Sequence, residues 1–210
     1  MTILTVEHLC IGYPQQPIIE QLSFQLHPNQ RLMLQGEIGT GKTTLLHCLL
    51  GFIPFQQGSI KWFGKNCRQE ADFEPLRGTI GICFQQPDDQ LFGPTVLDDV
   101  AFGPLNQGLP EADAYRLARL QLAQLGIESL CERSVNQLSG GEKNFTALAG
   151  VLAMQPKVLL LDEPTNGLDH KNIDKLTALL KSLDLPMLIA SHDRRFSRAL
   201  ADDYLPLAKR

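Results

Sequence analysis

The chain has 210 residues, 43% hydrophobic and 20% charged, the composition of one ordinary globular domain. Nineteen Lys and Arg against 23 Asp and Glu leave a formal charge of −4. That balance argues against nucleic acid as the main partner, because proteins that grip phosphate backbones are usually basic. The five cysteines are odd in number and include no C-x-x-C pair, which fits free, mostly structural thiols in a reducing compartment.

The first residues carry no basic segment and have Glu7 early, so they do not read as a signal peptide. Segments 3–6, 22–26 and 31–35 read as short strands, with turns at Gly12-Tyr13-Pro14 and Pro28-Asn29. A Gly-rich turn at 36–41 leads into a helix over 43–50, closed by Gly51. The stretch 43–55 is the most apolar, but it is shorter than the roughly 18 residues of a membrane span and holds His47. A soluble chain is therefore expected, with any membrane role supplied by a partner. Segments 59–63 and 79–84 read as strands. Over 110–125, Tyr115, Ala118, Leu122 and Leu125 recur on one helical face, closed by Gly126. A second helix is expected at 142–154 and a third at 172–183. The aliphatic runs 158–161 and 187–190 have the pattern of strands covered on both faces of a parallel sheet. Strand–helix alternation at both ends, around a helix-rich middle, implies an α/β fold with an inserted helical lobe. The expected boundaries are a core of about 1–85 and 156–210 and a lobe of about 86–155.

Three motifs carry chemistry. Gly36-Glu37-Ile38-Gly39-Thr40-Gly41-Lys42-Thr43 fits G-x-x-x-x-G-K-[ST] between a strand and a helix. Its glycines let successive backbone N–H groups point at one anion on a helix N-terminus, Lys42 adds positive charge near the β- and γ-phosphates, and Thr43 offers a hydroxyl to Mg²⁺. Asp162 and Glu163 end a buried strand, where open α/β sheets bind ligands. Asp162 would hold Mg²⁺, and Glu163 would act as general base towards water. Ser139, Gly140 and Gly141 open a helix and form a second backbone surface suited to an anion.

With these motifs in this order the sequence resembles the nucleotide-binding subunits of ABC transporters over nearly its whole length. The resemblance implies a P-loop NTPase fold: a RecA-like, mostly parallel sheet core, an N-terminal antiparallel β subdomain and an inserted α-helical lobe. Gly36 to Thr44 resembles Walker A, so that Thr44 joins the phosphate site, and 158–162 resembles Walker B. Gln85 looks like the Q-loop glutamine that senses Mg²⁺ and the attacking water. Residues 138–142 resemble the signature, 166–169 the D-loop ending at Asp169, and His192 the switch histidine that contacts the γ-phosphate. Tyr13 looks like the aromatic that stacks on adenine; a turn or core tyrosine is its other reading. The implied cofactors are ATP and Mg²⁺. The implied partner is a second ATPase subunit, identical or related, pairing head to tail so that ATP lies between Walker A of one chain and the signature of the other.

The segment 84–92, followed by 95–103, resembles the energy-coupling factor branch, especially its cobalt and nickel importers. That implies a peripheral subunit on the cytoplasmic face of the inner membrane, contacting an integral-membrane scaffold and a substrate-binding subunit through the Gln85 to Phe102 region. Phe92, Val96, Val100 and Phe102 are expected to offer apolar surface there, with Phe92 and Phe102 fitting a lobe core equally well. Asp88, Asp89 and Asp98 are expected to meet basic residues at its rim. A vitamin importer of the same branch is the alternative, then a soluble ABC ATPase acting on nucleic acid, then a small-molecule P-loop kinase. The sequence departs from the family pattern at Glu142 (commonly Gln), Phe145 (usually Arg), Ile38 (often Asn) and Asn166-Gly167. His192 lies 18 residues from the last residue, where many relatives continue into a segment that holds the dimer, so weak dimerisation is expected without ATP or membrane subunits.

Overall fold

The computed structural model describes residues 2–13 and 15–208; the side chain of Tyr13 lies outside the described parts. In chain order the elements are β1 (Leu4–Tyr13), β2 (Gln16–Leu26), β3 (Arg31–Gln35), α1 (Lys42–Leu49), β4 (Gln57–Trp62) and β5 (Lys65–Cys67). After them come α2 (Glu70–Phe73), β6 (Ile80–Cys83), α3 (Val96–Asn106), α4 (Glu111–Gln124), α5 (Gly140–Ala153) and β7 (Val158–Asp162). The chain ends with α6 (His170–Ser182), β8 (Met187–Ala190), α7 (Arg194–Leu200) and β9 (Asp203–Pro206).

The first two strands form one long antiparallel hairpin rather than the short strands expected. The buried side chains of β1 are Leu4 and Val6, then Leu9 and Ile11, so the alternation slips by one residue between them. His8 takes φ 48° at that slip and Gln21 takes φ 52° on the facing strand. Each bulge re-aims the chain so that apolar residues return to the core face. A period-2 reading therefore stops at Val6. The antiparallel sheet has the order β2-β1-β4-β5.

The second sheet has the order β6-β7-β8-β3-β9 with every pair parallel. All five residues of β7 are buried, because both of its faces are covered. Val158 and Leu160 join the cluster formed with α1 and the antiparallel sheet, where Trp62 donates to the Leu49 carbonyl at 2.7 Å. Leu159 and Leu161 join the opposite cluster, which also takes in α3, α4, α5, α6 and α7. This is the α/β architecture expected. Helix α3 was not foreseen, since Gly103 and Pro104 sit in its last turn. Nor were β5, α2, α7 and β9, which are too short to display a period.

Sheet order determines the site. Strands β6, β7, β8 and β3 are consecutive neighbours, so the segments leaving their carboxyl ends share one rim. Those segments are Phe84-Gln85, Asp162-Glu163, Ser191-His192 and the turn at 36–41. Among the described residues no helix is long and apolar enough to cross a membrane.

Helix α5 is seated on β6 through Gly81, where an added Cβ would come within 2.5 Å of Val151 Cγ1. Gly81→Ala is expected to destabilise the chain by about 1–3 kcal/mol through overpacking, read by denaturant unfolding. Adding Val151→Ala should recover part of that loss, because it removes the opposing methyl groups.

Candidate functional site

Residues 36–41 link β3 to α1 as a loop whose Gly39 and Gly41 take φ 85° and 88°. A side chain at Gly36 would meet Thr40 Oγ1 at 2.5 Å and the Leu207 carbonyl at 2.7 Å. The loop is closed on itself. Lys42 Nζ donates to the carbonyls of Gly36 at 2.8 Å and Glu37 at 3.0 Å, and the Thr40 hydroxyl donates to Glu37 O at 3.0 Å. Lys42 is 7% exposed. Its ammonium thus stands in a ring of carbonyls at the N-terminus of α1, where the helix dipole also favours an anion. Thr43 and Thr44 follow, half-buried in the first turn.

Across the rim Asp162 is 1% exposed, and neither of its carboxylate oxygens has a hydrogen-bond partner of ordinary geometry. Burial raises its pKa above the usual carboxylate value. The Thr43 hydroxyl opposes that rise, Glu163 reinforces it, and His47 and Lys42 oppose it weakly. A buried carboxylate without partners is costly, and this one lies beside a threonine hydroxyl. That donor set, all oxygen, suits a hard divalent cation such as Mg²⁺.

Glu163 is held by its backbone. It takes φ 47°, donates its N–H to Ala190 O at 2.8 Å, and accepts Asn166 N–H at 3.0 Å. Its Oε2 accepts the backbone N–H of His192 at 3.1 Å and lies 2.7 Å from His192 Nδ1. Sequence reasoning gave these two residues separate roles; the structure couples them directly. Glu163 is buried, whereas the His192 side chain is 58% exposed. Gln85 is exposed two residues beyond Cys83, which pairs in register with Leu161.

The phosphate loop, Gln85, Asp162, Glu163 and His192 therefore share one rim, and Ser139, Gly140 and Gly141 do not join it. Ser139 caps α5 in a reciprocal box with Glu142. Around Gly140 and Gly141 the nearest groups are Gly167 O, Leu168 and Asn172. The 166–169 segment is fastened to α5 by Asn144 Nδ2, which donates to Asn166 O at 2.9 Å. Asp169 caps α6, accepting Asn172 N–H at 2.8 Å. Phe145 is 3% exposed in the core with Lys175 Nζ 4.7 Å above its ring, a cation–π contact at the departure from the family pattern. Of Tyr13, only its backbone at the end of β1 falls within the described parts.

In the 85–102 region the structure departs from the sequence expectation. Val96 and Val100 are fully buried and belong to the core, not to a contact surface. Asp88 is ion-paired with Lys143 of α5. Asp98 accepts from Thr95 Oγ1 at 2.6 Å and Tyr115 OH at 2.8 Å, and these bonds hold its carboxyl below the usual range. Phe92 and Phe102 are 61% and 45% exposed and meet edge to face with centroids 4.4 Å apart. Sequence reasoning missed Asp99, whose Oδ1 accepts the N–H groups of Phe92 at 2.8 Å and Gly93 at 2.7 Å and so fixes that loop. Thr95 with Asp98 three residues on was the available signal for a helix start here. Also missed were an apolar groove of about 220 Å³ lined by Leu50, Phe52, Phe73, Leu76, Phe84 and Met154, and an open cavity of about 980 Å³ bordering the phosphate loop at Arg194, Arg198 and Tyr204. No local pattern signals either; each is assembled by the topology.

The model of one protein family, the ABC transporter family, matches residues 19–166. The chain belongs to that family. It is an ATP-binding subunit of the kind that hydrolyses ATP. An uncharacterized ABC transporter ATP-binding protein of Haemophilus influenzae is 64% identical over 205 residues, 98% of this chain and 94% of that one. The energy-coupling factor transporter ATP-binding protein EcfA of Methanosphaera stadtmanae is 37% identical over 207 residues, 96% of this chain and 74% of its own. Among solved structures, cbiO1 of Clostridium perfringens, described as part of the ABC transporter complex cbiONQ, superposes with a TM-score of 0.88 at 34% identity. It covers 98% of this chain and 84% of its own.

Because burial raises the Asp162 pKa, folding favours its protonated form. That contribution is present below the unfolded carboxylate value of about 3.9 and is lost as pH rises through the folded value. Above the folded value the buried carboxylate weighs against the nucleotide-free fold. Asp162→Asn should raise its melting temperature by about 2–4 °C, the shift 1 kcal/mol gives at this size. The same substitution should remove the extra stabilisation that Mg²⁺ adds to ATP, measured by melting with and without each ligand.

Proposed function

We propose that two copies of this chain, or this chain and a related one, pair head to tail and hydrolyse ATP between them to drive an energy-coupling factor importer. The observation that carries the reading is the separation of two anion-favouring backbones. The 36–41 loop belongs to the rim with Asp162 and Glu163, whereas Ser139, Gly140 and Gly141 neighbour the 166–169 segment. One nucleotide within one chain cannot use both; a partner's signature facing this chain's loop can.

In this reading the N–H groups of Gly36, Glu37, Gly39, Thr40 and Gly41, with Thr44, cradle the phosphates. Lys42 exchanges its carbonyl partners for phosphate oxygens. Thr43, Asp162 and Gln85 would hold Mg²⁺, which when bound would supply positive charge against that of the transferring phosphoryl group. Glu163 accepts a proton from the attacking water. His192, hydrogen-bonded to it, orients its carboxylate and reaches towards the γ-phosphate. Tyr13 stacks on adenine. Ser139, Gly140 and Gly141 of one chain, with Asp169 nearby, complete the site of the other. Loss of the γ-phosphate bridge then favours reopening.

The importer reading draws on the EcfA and cbiO1 likenesses. The latter is named within a cbiONQ complex, and cobalt or nickel is the proposed cargo; a vitamin importer would use the same residues, since this chain does not read the cargo. The proposed membrane scaffold meets the apolar groove at Phe52 and Phe84 and the exposed Phe92–Phe102 pair, holding the subunit against the cytoplasmic face of the inner membrane.

Glu163→Gln should retain ATP binding, slow hydrolysis by about 10²–10⁴-fold, the usual contribution of a general base, and accumulate an ATP-bound dimer by light scattering. Wild-type turnover in this variant, or a monomer at saturating ATP, contradicts the reading. Lys42→Ala should lower turnover by about a hundredfold or more, and normal kinetics would remove the loop from the site.

A further inference from the structure

Glu142 stands at the third position of α5, within the surface that Ser139, Gly140 and Gly141 present. Its Oε2 accepts the backbone N–H of Ser139 at 2.7 Å and the Ser139 hydroxyl at 2.8 Å. These bonds hold its carboxyl below the usual range, so it is a carboxylate at neutral pH. A carboxylate suits a helix N-terminus when nothing else binds there. It opposes a triphosphate arriving at the same place, because like charges at close range repel.

Arg133 answers that charge. Its Nη1 donates to Glu142 Oε1 at 2.9 Å, and its Nη2 donates to the Gln137 carbonyl at 2.9 Å, just ahead of the signature. The guanidinium thus pins the carboxylate on the side away from Ser139 and fixes the strand of chain leading to it. The side chains of this pair are 43% and 30% exposed. Pairs so exposed add little to folding stability, and this one stands beside the helix start formed by Ser139, Gly140 and Gly141.

We infer that Arg133 is a positioning residue for the composite ATP site: it neutralises and pins Glu142, so that the Ser139–Gly141 surface accepts the triphosphate held by a second subunit. This rests on the head-to-tail reading above. A lone Glu142 would repel the nucleotide, a lone Arg133 would attract it, and removing both would restore the neutral balance.

The test is a double-mutant cycle in the full chain carrying Glu163→Gln. It reads the ATP concentration that gives half-maximal dimer by light scattering. Arg133→Ala should raise that concentration by about threefold, the scale of one uncompensated charge beside a helix N-terminus, and the increase should shrink at high salt. Glu142→Gln keeps both partners of the cap and should lower the concentration by about threefold, the scale of one charge at a helix N-terminus. The double variant should return to within about twofold of the parent, since the two charges balance. Equal impairment in Arg133→Ala and the double variant overturns the inference, because Arg133 would then act through something other than Glu142. If Arg133→Ala does not fold, Arg133→Gln takes its place in the cycle, and a concentration unchanged by it overturns the inference. A parent that never dimerises while still binding ATP overturns the head-to-tail reading itself, and the inference with it.

Discussion

Asp162 is a carboxyl group sealed at the end of a fully buried strand, with no hydrogen-bond partner of ordinary geometry among the described residues and only the Thr43 hydroxyl beside it. A nucleotide-free chain carries that cost throughout its fold. The surrounding architecture makes sense as what holds such a group in place: both faces of β7 are covered, and β6 and β8 flank it in register. The rim gathers the phosphate loop, the Glu163–His192 couple and Gln85 around it. Opposite in sign, Lys42 is also buried, and it is satisfied only by carbonyls of its own loop. In the proposed reading Mg²⁺ would match the Asp162 end, and phosphate oxygens would replace the carbonyls at the Lys42 end. A fold in this condition trades some stability for preorganisation, a common arrangement at reactive centres.

Two linkages extend outward from that rim. His47 of α1 packs edge-on against Phe52 and Phe84, with centroids 6.0 and 5.7 Å away, and both phenylalanines line the apolar groove. Phe84 immediately precedes Gln85. On the other side the Asp88–Lys143 ion pair ties the segment after Gln85 to α5, whose first turn carries the signature. A body seated in the groove would therefore press on elements joined both to the proposed metal end of the site and to the surface proposed to meet a second subunit.

What was legible in the sequence was local. The Gly36–Thr43 loop, the aliphatic run into Asp162 and Glu163, and the capped helix at Ser139 each announce themselves within a few residues, because backbone geometry and helix dipoles act over that range. The contacts between them were not legible. Nothing near position 163 signals that its side chain meets His192, since that pairing follows from β8 lying beside β7. Strand β1 was cut short because the His8 bulge reverses its alternation, and α3 was hidden by Gly103 and Pro104. Val96 and Val100 were assigned outward because a short apolar helix face looks alike whether it meets a core or a partner; here the core takes it. Asp88 and Asp98 likewise looked available, and their partners Lys143 and Tyr115 lie 55 and 17 residues away.

The central claim is that one active site is built from two chains. It is tested most directly by mixing two inactive variants, Lys42→Ala, which lacks a working phosphate loop, and Ser139→Arg, which lacks a working signature surface. A mixed dimer contains one intact pairing, the loop of the second chain against the signature of the first. Hydrolysis in the mixture should rise well above the sum of the separate preparations. A mixture no more active than that sum would contradict a site shared between subunits.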